Sequence, residues 1–198
     1  ELNQTLEKVL VNLKQDVISL QSEIDQSETI VQNLDSSLVI LKNPEEYTKA
    51  KLAEKLFSIN QTASMELVKI SFNNLSESGK LQSIKNEALI DTLINYYNEE
   101  RYLNWEEAIV NHTREIIRPY LMGFDFVPLN SEDLGYLNDA SQFSIPPKSI
   151  KDYASDARIV NGIRFKIFLH SNVNRMYRYK LEENQSLTKL IEEELGKE

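Results

Sequence analysis

Few side chains in this sequence could do chemistry. Cysteine is absent, so neither a disulfide framework nor a cysteine-based zinc site can form. His112 and His170 are the only imidazoles. With Glu115 as base or metal ligand they would make a paired site of hydrolase type. A closed metal site needs more ligands than two scattered imidazoles, and neither Glu-x-x-His nor His-x-x-x-His spacing occurs. Each histidine falls beside an apolar stripe, His112 between Ala108 and Ile116 and His170 between Ile167 and Val173. Hydrogen-bonded core histidines are therefore the favoured reading, with no cofactor and no metal. Carboxylates cluster at Glu45-Glu46, Glu99-Glu100, Glu106-Glu107 and Glu192-Glu193-Glu194. Sequence neighbours on a helix point about 100° apart, so none of these is a catalytic dyad by itself. They read as solvated charge that pairs with Lys and Arg, as Glu183 can with Lys180.

The remaining group is aromatic. Tyr96, Tyr97, Tyr102 and Trp105 fall close together, with Arg101 and Glu106 among them. Tyr96, Tyr97, Arg101 and Trp105 could border a small-molecule pocket or an interaction surface. Core filling, with the hydroxyls reaching the surface, explains them more simply. Tyr177 and Tyr179 carry the same ambiguity. No nucleophile elbow, Walker loop or dinucleotide fingerprint is present.

The bulk properties narrow the partners. The 198 residues are 41% hydrophobic and 27% charged, and 22 basic against 31 acidic residues leave a net charge of −9. That is an ordinary globular balance in a length that fits one domain. So acidic a chain repels nucleic acid. Arg158, Arg164, Lys166, Arg175, Arg178 and Lys180 are the one basic cluster, and at helical spacing they read as a solvated face. No run of 18 apolar residues exists, so no segment reads as a membrane span. Five glycines and five prolines are too few for a many-turned β-fold.

These residues must be held by helices. Residues 1–42 contain neither Gly nor Pro. Leu2, Leu6, Val9, Leu13, Val17, Leu20, Ile24, Val31, Leu34, Leu38 and Leu41 recur mostly at steps of three or four, with Ser27 in the one gap. That spacing predicts a single helix with a heptad-like seam and Lys14, Gln15 and Asp16 on its polar faces. Asn43-Pro44-Glu45-Glu46 predicts the start of a second helix over 44–59. A short helix could open at Thr62, and Ser76 to Gly79 reads as a turn with Gly79 ending a helix. A long helix is expected over 86–118, stopped by Pro119. Residues 119–151 hold four prolines and several aromatics, which predicts an ordered cap loop. A last long helix over 152–196 carries Ile159, Ile163, Ile167, His170, Val173, Tyr177, Leu181, Leu187, Ile191 and Leu195. The expected fold is all-α: an elongated up-down bundle of three long helices with shorter ones over 44–83, in one domain spanning 1–198.

Four segments also carry a resemblance. They are Leu10-Val-Asn-Leu13-Lys-Gln-Asp16, Phe72-Asn-Asn-Leu75-Ser-Glu-Ser-Gly79-Lys-Leu, Ile84-Lys-Asn86-Glu-Ala-Leu89 and Leu93-Ile-Asn-Tyr96-Tyr97-Asn98. In this order the chain resembles a family of Bacteroidetes proteins, domain of unknown function 6090, over about residues 6–100. The resemblance implies one upstream transmembrane helix, absent from this chain, preceded by basic residues. By the positive-inside rule it places this part on the periplasmic side of the inner membrane. It supplies no catalytic residues. The functional expectation is a membrane-tethered, non-enzymatic interaction or scaffold module that meets a protein partner or a second copy of itself. The alternative is a ligand-sensing domain.

Overall fold

A computed structural model describes residues 1–98, 100–117 and 148–196, and the Arg101 side chain lies outside that description. Among the described residues the protein is all-helical: 84% are in helix and none in a strand. Seven α-helices follow in order. They are α1 Leu2–Lys42, α2 Lys49–Leu56, α3 Ile70–Glu77, α4 Glu87–Tyr96, α5 Glu100–Asn111, α6 Ile150–Ser155 and α7 Ala157–Leu195. Short 3-10 turns cover Phe57–Asn60 and Lys80–Ser83, and α5 runs on into a π-helical turn over His112–Ile117. The expected cap loop lies almost wholly outside the described residues, as does Glu99.

The predicted seams are displaced by one residue at several places, and the displacement has one cause. On α1 the inward residues include Leu6, Val9, Leu13, Asp16, Leu20, Ile24, Ser27, Ile30, Leu34 and Ser37, all buried. Val17, Val31 and Leu38, predicted as seam residues, are only half-buried. On α7 the inward residues are Ile159, Ile163, Lys166, His170, Val173, Tyr177, Lys180, Asn184, Leu187 and Ile191. They follow alternating steps of four and three without interruption. Ile167 and Leu181 stand one place off and are half-buried. A helix that keeps one face toward its neighbours over many turns must hold that alternation. Geometry therefore selects the position, and at Asp16, Lys166, Lys180 and Asn184 a polar residue occupies it. Asp16 is thus not on a polar face, and Lys166 and Lys180 are not part of a solvated one.

Other boundaries shift for local reasons. Asn43 does not open a helix. Its side-chain amide donates to the Val39 carbonyl at 3.0 Å and closes α1 instead. Thr48, in extended conformation, caps α2 by accepting from the Lys51 amide at 3.2 Å, so the helix begins five residues later than Pro44 suggested. Residues 61–69 form no helix: Gln61 is extended, and Ala63, Met65 and Leu67 are buried while Ser64 and Glu66 are exposed, the alternation of an extended chain. Gly79 ends α3 in the left-handed region at φ 71°, where a side chain would be strained. Asn86 caps α4 at the expected place. The single helix expected over 86–118 is broken after Tyr96: Tyr97 leaves the helix, and the Asn98 side chain accepts from the Glu100 amide at 3.1 Å to restart it as α5. The last helix is likewise divided, because Asp156 is extended and accepts from the Arg158 amide at 3.0 Å.

The chain forms two compact units. Unit 1 comprises Glu1–Asp25, Ser64–Asn104 and Val173–Glu198. Its core is built on Leu13 and Leu20 of α1, Leu89 and Leu93 of α4, and Tyr177 and Leu187 of α7. Asn174 and Asn184 of α7 donate to the carbonyls of Ile24 and Leu13, so α1 and α7 run antiparallel there. Unit 2 comprises Gln26–Ala63 and Trp105–Asn172. Ile30, Leu34 and Ile40 pack with Leu52, Leu56 and Ile59, and with Ile117, Tyr153, Ile159 and Ile163. Gly162 lies so close to the π turn that a Cβ there would stand 3.0 Å from Ile117 Cδ1.

The register argument has a direct test on two neighbours of α1. Leu20 is fully buried, whereas Ile18 is 72% exposed. Leu20→Ala is expected to lower unfolding free energy by roughly 2–5 kcal/mol through transfer loss and cavity formation. Ile18→Ala should stay within about 0.5 kcal/mol. Urea denaturation of the two variants measures both.

Candidate functional site

The polar residues that the register places inside unit 1 form one connected group. Asp16 Oδ1 accepts from the Val68 amide at 2.8 Å, and its Oδ2 accepts from the Tyr96 hydroxyl at 2.9 Å. Asn184 donates through one amide group to the Tyr96 hydroxyl at 2.9 Å and to the Leu13 carbonyl at 3.0 Å. Helix α1, the extended segment, α4 and α7 thus meet on one carboxylate and one phenol. Burial first, and then the Asp16 charge, push the Tyr96 hydroxyl far above its ordinary pKa. It keeps its proton and acts as a donor to the carboxylate.

Lys180 sits beside this group. Its ammonium donates to the carbonyls of Tyr96 at 2.6 Å and of Asn95 and Asn98 at 3.3 Å, and it pairs with Glu183 at 2.7 Å. It also lies 5.1 Å from the Tyr96 ring centre. The last carbonyls of a helix carry its negative pole and have no amide partners. A buried ammonium supplies both the charge and the donors, which is why α4 ends here. A polar cavity of about 170 Å³ is lined by Asn95, Asn98, Lys180 and Glu183. A larger open groove of about 370 Å³ lies between Ile18, Ser22 and Glu23 of α1 and Ser64 to Glu66. Burial raises the Glu23 carboxyl, and the Ser64 amide counters this in part.

Sequence-predicted residues distribute unevenly over this arrangement. Tyr96 is at the centre of the polar group. Tyr97 is buried, stacks on Phe72 with ring centres 4.4 Å apart, and its hydroxyl has no partner. Tyr102 is buried edge-on to Tyr177. Trp105 belongs to unit 2, half-buried, with its ring 5.9 Å from that of Phe168. Asp16, Lys180 and Asn184, the residues that organise the group, were not among the candidates. Counting strict three–four steps from Leu13 and from Tyr177 reaches all three of them.

The proposed His112, Glu115 and His170 trio does not assemble. Glu115 is exposed and pairs with Arg114 at 3.2 Å. His112 is buried, tilted against Phe165 at 5.0 Å, and neither ring nitrogen is hydrogen-bonded. His170 Nδ1 lies 3.3 Å from the Ser27 hydroxyl. Among the described residues, no group of three or more His, Asp or Glu side chains could hold a metal ion.

The two adjacent tyrosines give opposite expectations. Tyr96→Phe removes a donor from a buried carboxylate and an acceptor from Asn184, and should cost roughly 1–3 kcal/mol of unfolding free energy. Tyr97→Phe removes a buried hydroxyl that has no partner, and should be neutral or stabilising. Thermal denaturation of both variants distinguishes them. In comparisons with known proteins, no family model, no curated protein and no solved structure matches the chain.

Proposed function

We propose that this chain is the extracytoplasmic part of a membrane-anchored bacterial protein and serves as a non-enzymatic interaction module, binding a second protein chain. The family resemblance supports the tether and its sidedness. Among the described residues no helix is long and apolar enough to cross a membrane.

One observation carries the interaction reading. Phe165 and Phe168, on the outer face of α7, are each 51% exposed, with rings stacked at 5.9 Å and 22°. Trp105 meets Phe168 edge-on at 73°, and Ile116 is exposed in the same unit. Aromatic groups of this size on a surface gain most when a partner removes them from water. Meanwhile the polar side chains best suited to acid–base work, Asp16, Tyr96 and Lys180, are buried and held by internal bonds.

Self-association is the first occupant to test, because a two-fold interface would place the same aromatic face on both copies. Analytical ultracentrifugation over a wide concentration range should show reversible association, and Phe165→Ser with Phe168→Ser should abolish it while helicity is retained. A wild-type chain that remains strictly monomeric, and whose capture of proteins from native membranes is unchanged by the double substitution, overturns the proposal.

A further inference from the structure

Both imidazoles of the chain are buried in unit 2, and among the described residues no acid is hydrogen-bonded to either. Lys166 and His170 are one helical turn apart on the inward face of α7, and both are fully buried. Lys166 donates to the Thr113 hydroxyl, and Thr113 follows His112 on the π turn. The Lys166 charge acts on both rings. The groups that meet His170 from other elements are neutral: Ser27 of α1, whose hydroxyl lies 3.3 Å from Nδ1 and donates to the His170 carbonyl at 3.2 Å, and the Gln61 backbone. His112 meets the Phe165 ring and the Lys166 charge. Glu106, buried on α5, makes no hydrogen bond to either ring, and Glu115 faces solvent.

A histidine cation in this place would be desolvated beside an existing positive charge with no carboxylate bonded to it. Burial first, then Lys166, hold His170 down to about 3, with the Gln61 backbone offsetting part of this. The same two causes lower His112. The His170 ring stays neutral in the folded unit and the His112 ring is biased the same way, while the unfolded chain takes protons at its ordinary value near 6.5.

We propose that the Lys166-centred histidine pair of unit 2 is an acid-release device, which holds the π turn and α7 together near neutral pH and loosens them under mild acid. The sign follows from proton counting. Above about 6.5 neither state binds the protons, and stability is full. Below it the unfolded state binds them and the folded state does not, so stability falls as pH falls toward the folded value. Between pH 7.5 and 5 this raises the unfolding constant about 30-fold for His170 alone, about 15-fold of it between pH 6.5 and 5, and the lowered His112 adds to it in the same direction. That window lies above the range in which ordinary carboxylates titrate.

Trp105 is the only tryptophan and belongs to unit 2, so its fluorescence reports on this unit. Urea titrations of the whole chain at pH 7.5, 6.5 and 5.0 should show the unfolding constant rising by at least 30-fold over the series, about 15-fold or more of it over the last step. His170→Gln should remove about 30-fold of that dependence. A pH-independent constant, or a dependence that the substitution leaves whole, overturns the proposal. Should the variant not fold, the imidazole resonances of the wild-type protein decide: the His170 ring is expected neutral at pH 5, and a His170 ring that titrates near 6.5 refutes the inference.

Discussion

The constraint on which this structure depends is the three–four alternation of inward positions along α1 and α7. A long helix can keep one face against its neighbours only if that alternation is held, whatever residue falls on it. Here it falls on Asp16, Ser27 and Ser37 of α1 and on Lys166, His170, Lys180 and Asn184 of α7. Apolar residues stand one position away in several cases, and they do not displace the polar ones. Moving Val17 inward in place of Asp16 would rotate the helix by about 100° and expose the rest of the stripe. Burying one carboxylate with good partners is the smaller cost.

That choice then shapes the elements around it. A buried carboxylate needs donors, and Asp16 finds them in the Val68 amide and the Tyr96 hydroxyl. The first of these fastens an extended segment to the side of a helix, and the second fixes α4. A buried ammonium needs acceptors, and Lys180 finds them in the terminal carbonyls of α4. Breaking the helix at Tyr97 is the condition for those carbonyls to be free. The interruption between α4 and α5 and the polar residue on α7 are thus two sides of one arrangement. Conformational specificity fits this pattern, because each polar contact is satisfied in one register and orphaned in others.

This explains what could be read from the sequence and what could not. The extent of α1, the turn at Gly79 and the cap at Asn86 depend on neighbours within a few residues, and local signals state them directly. The inward role of Asp16 depends on Tyr96 and Asn184, which lie 80 and 168 residues away along the chain. A search for apolar stripes passes over it by construction and selects Val17. Asn43 illustrates the same limit at short range: an asparagine before a proline suits both the end of one helix and the start of the next, and only the carbonyl it bonds decides between them. The segment 63–67 alternates buried and exposed residues with a period of two, but the amides of Ser64 and Val68 bond carboxylates of α1 and not another strand.

The two units divide the polar and aromatic residues in different ways, and the difference bears on function. In unit 1 the buried charges meet complementary groups: carboxylate with phenol and amide, ammonium with carbonyls and Glu183. Such a core is rigid, since any shift of register leaves a charge without its partner. In unit 2 the buried bases are Lys166 and two histidines, and no carboxylate bonds either ring. The same unit turns Phe165 and Phe168 outward one or two positions from those bases along α7. A base on the inner face and an aromatic on the outer face of the same helical turn are mechanically joined. The proposed loosening of the inner face in acid therefore acts on the same stretch of helix that carries the outer aromatics.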